Sequence, residues 1–310
     1  MKTVILIPCY NEAMTIEKVI KDFKHEMPNA IIYVYDNNSS DGSDEIAKNA
    51  GAIVRYEFKQ GKGNVVRSMF KDIDADCYIL VDGDDTYPAD VAPEIEKLIL
   101  NKKVDMVIGD RLSSNYFEEN KRPFHNIGNK TVRNFINFFF KSNLNDIMSG
   151  MRGFSYDFVK SFPILSKEFE IETEMTIFAL NNNFNIEEMP INYKDRIEGS
   201  ESKLNTYTDG FKVITMIFAL IRDQRPFFYF SSLTLILLLI SLLYFFPIYL
   251  HFLKTGYVDK IPTLFLICTV IVSAVIIFFT GVILHVLKKQ HSQNLEHHLI
   301  LLKYIKNNNE

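Results

Sequence analysis

Residues 77–85 read Cys77-Tyr78-Ile79-Leu80-Val81-Asp82-Gly83-Asp84-Asp85: five apolar residues, then three carboxylates crowded onto a tight turn. The apolar run has the composition of a short buried strand. Packing gives no reason to gather three like charges at its end. A hard divalent cation removes the repulsion, and Mg²⁺ is typically held by one or two carboxylates plus substrate phosphates. The Asp-x-Asp spacing can present Asp82 and Asp84 to one ion, with Asp85 beside them. A solvated acidic turn is the competing reading, and the buried-looking strand immediately before it argues against that.

The chain on either side repeats the same strand-then-turn design. Val4–Ile7, Ile31–Tyr35, Ile53–Tyr56, Cys77–Val81 and Asp105–Ile108 are expected strands. Ala13–Glu26, Ser43–Asn49, Lys62–Ile73 and Val91–Asn101 are the expected helices between them. This order predicts an α/β fold with a mostly parallel sheet and helices on both faces. Ligands of such sheets bind beyond the carboxyl ends of the strands. The first strand is followed by Pro8-Cys9-Tyr10-Asn11-Glu12. The second is followed by Asp36-Asn37-Asn38-Ser39-Ser40-Asp41-Gly42, where Asp36 can accept hydrogen bonds from a nucleobase or ribose; a plain turn and helix cap explains the same residues. The third is followed by Gln60-Gly61-Lys62-Gly63-Asn64. Glycines and a lysine at a helix start can approach phosphate oxygens closely. The Walker spacing is absent, and a simple glycine turn competes. Arg111 follows the fifth strand.

Bulk properties narrow the function classes. The 310 residues suit one catalytic domain plus something small. The net charge of −4 conceals a split: 28 Lys/Arg against 35 Asp/Glu up to residue 226, and six against three from Phe227 onward. An acidic domain is a poor candidate for a nucleic-acid binder, which would show a basic face. Cys9, Cys77 and Cys268 are too scattered for a zinc site or a disulfide framework. The N-terminal apolar run is too short for a signal peptide. Phe227–Leu250 and Ile261–Leu287 each exceed the ~20 apolar residues needed to span a bilayer. They are expected to form a hairpin in the cytoplasmic membrane, and a homo-oligomer formed through it is compatible with the sequence. Arg222, Arg225, Lys288 and Lys289 flank its open end and place the catalytic domain in the cytoplasm. The expected domains are 1–226 (catalytic), 227–287 (membrane hairpin) and 288–310 (tail). Leu295–Ile305 in the tail has helical spacing, suited to a membrane surface or to the domain.

Taken in order, Pro8–Glu12, Asp36–Gly42, Gly61–Gly63 and Asp82–Asp84 resemble glycosyltransferase family 2. The nearest resemblance is to its dolichyl-phosphate mannose synthase-like and polyprenyl-phosphate glycosyltransferase members. It runs from residue 3 to about residue 225, and the two-helix tail also fits bacterial members. The resemblance implies a GT-A fold and inverting transfer from a nucleoside-diphosphate sugar to polyprenyl phosphate, with Mg²⁺ or Mn²⁺. It implies a nucleotide-sugar site of Pro8, Tyr10, Asn11, Glu12, Asp36, Asn38, Gly61, Lys62, Asp82, Gly83 and Asp84, with Asp82 and Asp84 on the metal. Many relatives place a Gln beyond that motif, whereas this chain continues Asp85-Thr86-Tyr87-Pro88, which leaves a third metal ligand unassigned.

The resemblance also organises the second half. Asp146–Ser155 resembles the family's Ser-Gly-x-Arg region near the acceptor. There Ser149 and Arg152 are expected at the lipid phosphate, since a guanidinium binds phosphate as a bidentate fork. A structural pair of Arg152 with Asp146 is the alternative. Arg111 and Arg133 are further phosphate candidates. Glu172 is the implied carboxylate near the donor sugar, although acidic residues in a first helical turn also suit the helix dipole. Residues 193–204 resemble a closing loop, with Arg196, Ser202 and Lys203 at the diphosphate. The aromatic run Phe135–Phe140 suits either core packing or the membrane interface. Asp84, Asp85, Arg152 and Glu172 are the expected catalytic set. A saccharide or lipid-hydroxyl acceptor is the rival reading and needs a carboxylate base such as Asp85 or Glu172. A nucleotidyltransferase and a non-enzymatic scaffold are the more distant ones.

Overall fold

The computed structural model describes residues 1–113, 123–164, 171–194 and 225–309, with residues 219, 222 and 223. Seven strands form one sheet among them. They are β1 (Thr3–Cys9), β2 (Ile31–Asp36), β3 (Ile53–Tyr56), β4 (Cys77–Leu80), β5 (Met106–Asp110), β6 (Arg152–Ser155) and β7 (Ile186–Pro190). Their order is β3-β2-β1-β4-β6-β5-β7. Six strands run the same way, and β6 lies antiparallel between β4 and β5. The helices of this part are α1 (Ile16–Glu26), α2 (Ser43–Asn49), α3 (Lys62–Asp72), α4 (Ala92–Lys102), α5 (Pro123–Phe140), α6 (Tyr156–Ser161) and α7 (Ile171–Asn181). The mostly parallel α/β expectation holds. The sheet is a GT-A-type arrangement.

Both faces of the sheet are covered, as the continuous apolar strands require. All of β4 is buried, and so is β1 except for Pro8. Alternate residues serve opposite faces. Ile5, Ile7, Ile79 and Val81 join one cluster with Ile16, Val19, Ile20 and Phe23 of α1 and Ile95, Leu98 and Ile99 of α4. The α1 set recurs at i, i+3, i+4 and i+7, the spacing of one helical face. On the other face Phe70 meets Tyr78 and Phe154, with ring centroids 6.3 Å and 5.5 Å apart. The aromatic packing continues through Phe158, Phe162, Phe178 and Phe184.

The short strand β6 is the element that the sequence pattern does not announce. Arg, Gly and Ser in four residues look like a loop. Yet Arg152 pairs with both Leu80 and Ile108, and Phe154 with both Tyr78 and Met106. Gly153 makes this possible: a Cβ there would collide with the γ-methyl of Ile95 on α4.

Packing divides the chain into two compact units, Met1–Asp209 with Ile305–Glu310, and Gly210–Tyr304. The second contains α8 (Pro226–Thr255) and nearly all of α9 (Ile261–Asn309). Both are long and apolar enough to cross a membrane, and only 11% and 17% of their most apolar windows are buried. That exposure sets them apart from the core helices of a soluble protein. Thr234 Oγ1 donates to the carbonyl of Ala274 at 3.2 Å, joining the two helices. The tail expected at 295–305 continues α9 without a break instead of forming an element of its own. At ~1.5 Å per residue, 49 residues make a helix more than twice the hydrocarbon thickness.

Replacing Gly153 by Ala should destabilise the first unit by about 1–3 kcal/mol, the usual cost of overpacking a filled interior. Denaturant unfolding of the full-length protein in detergent would measure it, and unchanged stability would show that α4 can move away from β6.

Candidate active site

The strands of the first unit end together, and the loops that follow them are knitted to one another. Asn11 Oδ1 accepts from the backbone N–H of Ser40 at 2.9 Å, and the Asn11 N–H donates to Ser39 Oγ at 3.0 Å. The N–H groups of Glu12 and Ala13 donate to Ser43 Oγ and Asp41 Oδ2. Burial alone would raise the Asp41 carboxyl, but hydrogen bonds from the Ser43 hydroxyl and from backbone N–H groups hold it below the ordinary value. Ser39, Asp41 and Ser43 therefore brace the loop after β1. Pro8, Tyr10 and Glu12 line this part of the rim, each partly buried.

Asp36 closes β2 and is 4% exposed. Its Oδ2 accepts from the Ser39 N–H at 3.0 Å. Its Oδ1 is buried and has no hydrogen-bond partner among the described residues. A buried carboxylate oxygen without a donor is costly, and a ligand N–H or O–H would complete it. Asn37, beside it, is a tether. Its amide donates to the carbonyls of Glu57 and Lys59, and its Oδ1 accepts from the Gly61 N–H at 2.8 Å. Gly61 sits at φ 123°, a region that favours glycine. Asn38 turns the other way and donates to the carbonyl of Phe58 and to Gln60 Oε1. Its side chain is exposed and ties this loop to the one after β3.

The tether delivers Lys62 to the centre. Its Nζ lies 2.5 Å from Asp82 Oδ1 and 2.6 Å from Glu172 Oε1. The Lys62 and Glu172 side chains are nearly buried, and Asp82 is 26% exposed. Burial on its own would lower the Lys62 ammonium, but the two carboxylates overturn that and raise it well above the ordinary lysine value. Three expected site residues, from the start of α3, the end of β4 and the first turn of α7, thus meet at one point.

The acidic turn is anchored on both sides. Thr15 Oγ1 donates to the Gly83 carbonyl at 2.6 Å. Asp84 is buried, and its Oδ1 accepts from the Thr86 hydroxyl at 2.6 Å. Gly150 lies against Asp82, because a Cβ there would collide with the Asp82 carboxylate. The Gly150 N–H donates to the Tyr87 hydroxyl at 2.7 Å. Asp82 and Asp84 offer carboxylate oxygens, the donor type a hard divalent cation takes, with one oxygen of each already engaged by Lys62 and Thr86 respectively. No group of three or more His, Cys, Asp or Glu that could hold a metal gathers among the described residues.

Several expectations need correction. Arg152 is fully buried. It donates to the carbonyls of Ser149 (2.9 Å) and Ile147 (2.5 Å) and to Thr176 Oγ1 (2.9 Å). Burial pulls its guanidinium down to about 10, so it stays charged at neutral pH. It is a strand residue of β6 that holds the 147–149 loop, and it presents no donor to a lipid phosphate. Nor does it pair with Asp146. That partner is Arg111, whose Nε and Nη2 reach the two Asp146 oxygens at 2.7 Å and 3.0 Å. Arg111 also lies over the Tyr193 ring, 5.5 Å from its centroid. Asp85, in the left-handed region at φ 57°, turns outward to Lys18 at 2.6 Å. Arg133 on α5 contacts its neighbour Asn134. Ser149 is buried, with no partner for its hydroxyl among the described residues. Phe138 of the aromatic run is 84% exposed, while Ile136 is buried. Arg196, Ser202 and Lys203 lie outside the described residues.

Asn37, Thr15, Tyr87 and Gly150 position the site, and sequence reasoning does not assign them. Asn37 stands inside a motif already singled out. So does Gly150, in the Ser-Gly-x-Arg region, whereas nothing in the sequence ties Thr15 to Gly83 or Tyr87 to Gly150, 68 and 63 residues apart.

Comparison with known proteins agrees with this geometry. The sequence profile described as glycosyl transferase family 2 matches residues 4–162. Glycosyltransferase AglJ of Haloferax volcanii is 34% identical over 234 residues, covering 74% of this chain and 75% of that protein. A dolichyl-phosphate hexose transferase of the same organism is 26% identical, covering 71% of this chain and 94% of that protein. The crystal structure of glucosyl-3-phosphoglycerate synthase from Mycobacterium tuberculosis, in complex with Mn²⁺, UDP and glucosyl-3-phosphoglycerate, has the same fold. Its TM-score is 0.54 at 15% identity, covering 72% of this chain and 79% of that one.

Lys62→Met should lower stability by about 3 kcal/mol, the low end for stripping one partner from a buried pair, since Asp82 stays partly open to water. A cation whose folded pKa is raised contributes fully below its unfolded value and loses that contribution as pH climbs through the folded one. Denaturant unfolding should therefore give a wild-type-to-variant gap that is constant from about pH 6 to 9 and narrows only above the ordinary lysine value of 10.5. A gap that closes near neutrality would overturn the ion-pair assignment.

Proposed function

This chain belongs to glycosyl transferase family 2, and from that membership we propose that it is an inverting enzyme that moves a sugar from a nucleoside diphosphate onto polyprenyl phosphate. The observation that carries the reading is the meeting of Lys62, Asp82 and Glu172 beside the Asp82-Gly83-Asp84 turn, beyond the strand ends. Asp36 offers its spare oxygen to the nucleobase or ribose, within a rim of Pro8, Tyr10, Asn11 and Glu12. Lys62 gives the donor diphosphate a cation at the start of α3, and Glu172 and Asp82 are then free to hold sugar hydroxyls. Asp84, with Asp82, would hold Mg²⁺ or Mn²⁺, which supplies charge neutralisation for a departing diphosphate.

The acceptor phosphate is ionised at neutral pH. One of its oxygens bonds to the anomeric carbon as the bond to the diphosphate breaks, and no protein base is required. That suits a site in which Asp85 is paired with Lys18 and Glu172 is engaged by Lys62 or, once the donor binds, by sugar hydroxyls. The name of the dolichyl-phosphate hexose transferase relative supports a lipid-phosphate acceptor. In this reading the acceptor phosphate falls to Arg196, Ser202 and Lys203, in place of Arg152. Residues 1–226 form the catalytic domain, α8 and α9 cross the cytoplasmic membrane as a hairpin, and the basic residues at its open end keep catalysis in the cytoplasm. The hairpin keeps the enzyme in the membrane that carries its acceptor.

The test uses full-length protein in detergent with Mg²⁺ or Mn²⁺, undecaprenyl phosphate and a panel of nucleotide sugars, read by mass spectrometry of the lipids. A gain of one sugar, lost with EDTA, is expected. Nucleoside diphosphate released only when a saccharide acceptor is added would overturn the acceptor. Asp84→Asn should cost at least about a hundredfold in turnover, comparable to losing one preorganised electrostatic group, with thermal unfolding little changed. Undiminished metal-dependent turnover in that variant would remove Asp84 from the metal.

A further inference from the structure

The second unit carries a basic cleft that the proposed reaction does not use. At the start of α8, Phe227 packs on Phe278 and His285 of α9, with ring centroids 6.0 Å and 6.1 Å apart. Gly281 lets the helices close, since a Cβ there would collide with Phe230. Next to this contact, Pro226, Leu284 and Leu287 form an apolar floor, and Arg222, Lys288 and His291 line the same cleft. Asp223 is there too, and Arg222 Nε donates to it at 2.7 Å. Both side chains of that pair are more than half exposed. Such a pair is weak, and the guanidinium can turn to another anion.

The charge pattern fixes the depth of the cleft. No Asp, Glu, Lys or Arg occurs from Pro226 to Leu253 or from Ile261 to Leu287. At this end both helices change from apolar to basic at one level, with Arg225 immediately before α8 and Lys288 and Lys289 immediately after Leu287. With Arg222 that makes four Lys/Arg, against Asp223 as the carboxylate among the described residues of the cleft. The N-terminal N–H groups of a 30-residue helix add positive potential on the same side. Basic pockets between membrane helices at the cytoplasmic surface suit anionic lipid headgroups.

We propose that this cleft binds the headgroup phosphate of an anionic phospholipid, with the lipid's glycerol and first acyl carbons on Leu284 and Leu287. The proposal rests on reading α8 and α9 as membrane spans. The apolar floor of Pro226, Leu284 and Leu287 directly beside the cations suits a phosphate that carries acyl chains over a soluble one. Full-length protein would be reconstituted into phosphatidylcholine vesicles with and without phosphatidylglycerol. Flotation, thermal unfolding and native mass spectrometry of retained lipid would be measured. Phosphatidylglycerol is expected to raise the unfolding temperature of the wild type and to be retained. Arg222→Gln/Lys288→Gln should lose that rise and retain at least tenfold less of it, while unfolding like wild type in phosphatidylcholine alone. Arg222→Lys/Lys288→Arg should keep both effects. Equal retention by the glutamine variant would overturn the site, and so would displacement of phosphatidylglycerol by equimolar polyprenyl phosphate. Failure of the wild type to float with either vesicle would overturn the membrane reading itself.

Discussion

Two carboxylates stand at the centre of the first unit, and a single, nearly buried ammonium bridges them. Without Lys62, Asp82 and Glu172 would face each other across a site with little water, where like charges repel strongly. The ammonium therefore ties together the loop after β3, the end of β4 and the start of α7, segments up to 110 residues apart. An anion that drew Lys62 away would leave both carboxylates needing a new partner.

The supporting structure keeps that cluster in place. Asn37 spans the gap between β2 and the glycine turn that presents Lys62. Thr15 and Thr86 hold the acidic turn from two sides, one through the Gly83 carbonyl and one through the Asp84 carboxylate. Gly150 is small so that Asp82 can lie against it. Among the described residues of this unit, Asp36 Oδ1 at the end of β2 and the Ser149 hydroxyl are buried without a hydrogen-bond partner. The polar groups are otherwise spent on positioning, which is why a close approach of backbone and carboxylates survives in a low-dielectric pocket.

Strand β6 explains the fate of the arginines. Its insertion between β4 and β5 places Arg152 inside the fold, where backbone carbonyls and a threonine take up its donors. Arg111, at the end of β5, is taken up by Asp146. Both arginines hold the 146–149 segment against the sheet. A guanidinium can serve a phosphate or brace a loop with the same chemistry, and burial decides which.

Much of this protein was legible from residue order alone. Apolar runs of four to seven residues, alternating with amphipathic stretches, determine a mostly parallel sheet, because buried parallel strands need helices on both faces. The same reasoning places Asp36 and Asp82 at strand ends, since each closes or directly follows such a run, and Lys62 at the helix start that follows the third. Two long stretches without charge determine helices with an apolar surface all round. What residue order could not supply is direction and partnership. Four residues with Arg, Gly and Ser do not announce an antiparallel strand, because its stability comes from two neighbours and from Ile95 above it. Whether Arg152 faces a ligand or the interior, whether Asp85 turns inward or to Lys18, and whether Asp146 takes Arg152 or Arg111 depend on contacts between distant segments. Only the folded chain brings those segments together, so only the tertiary structure decides them.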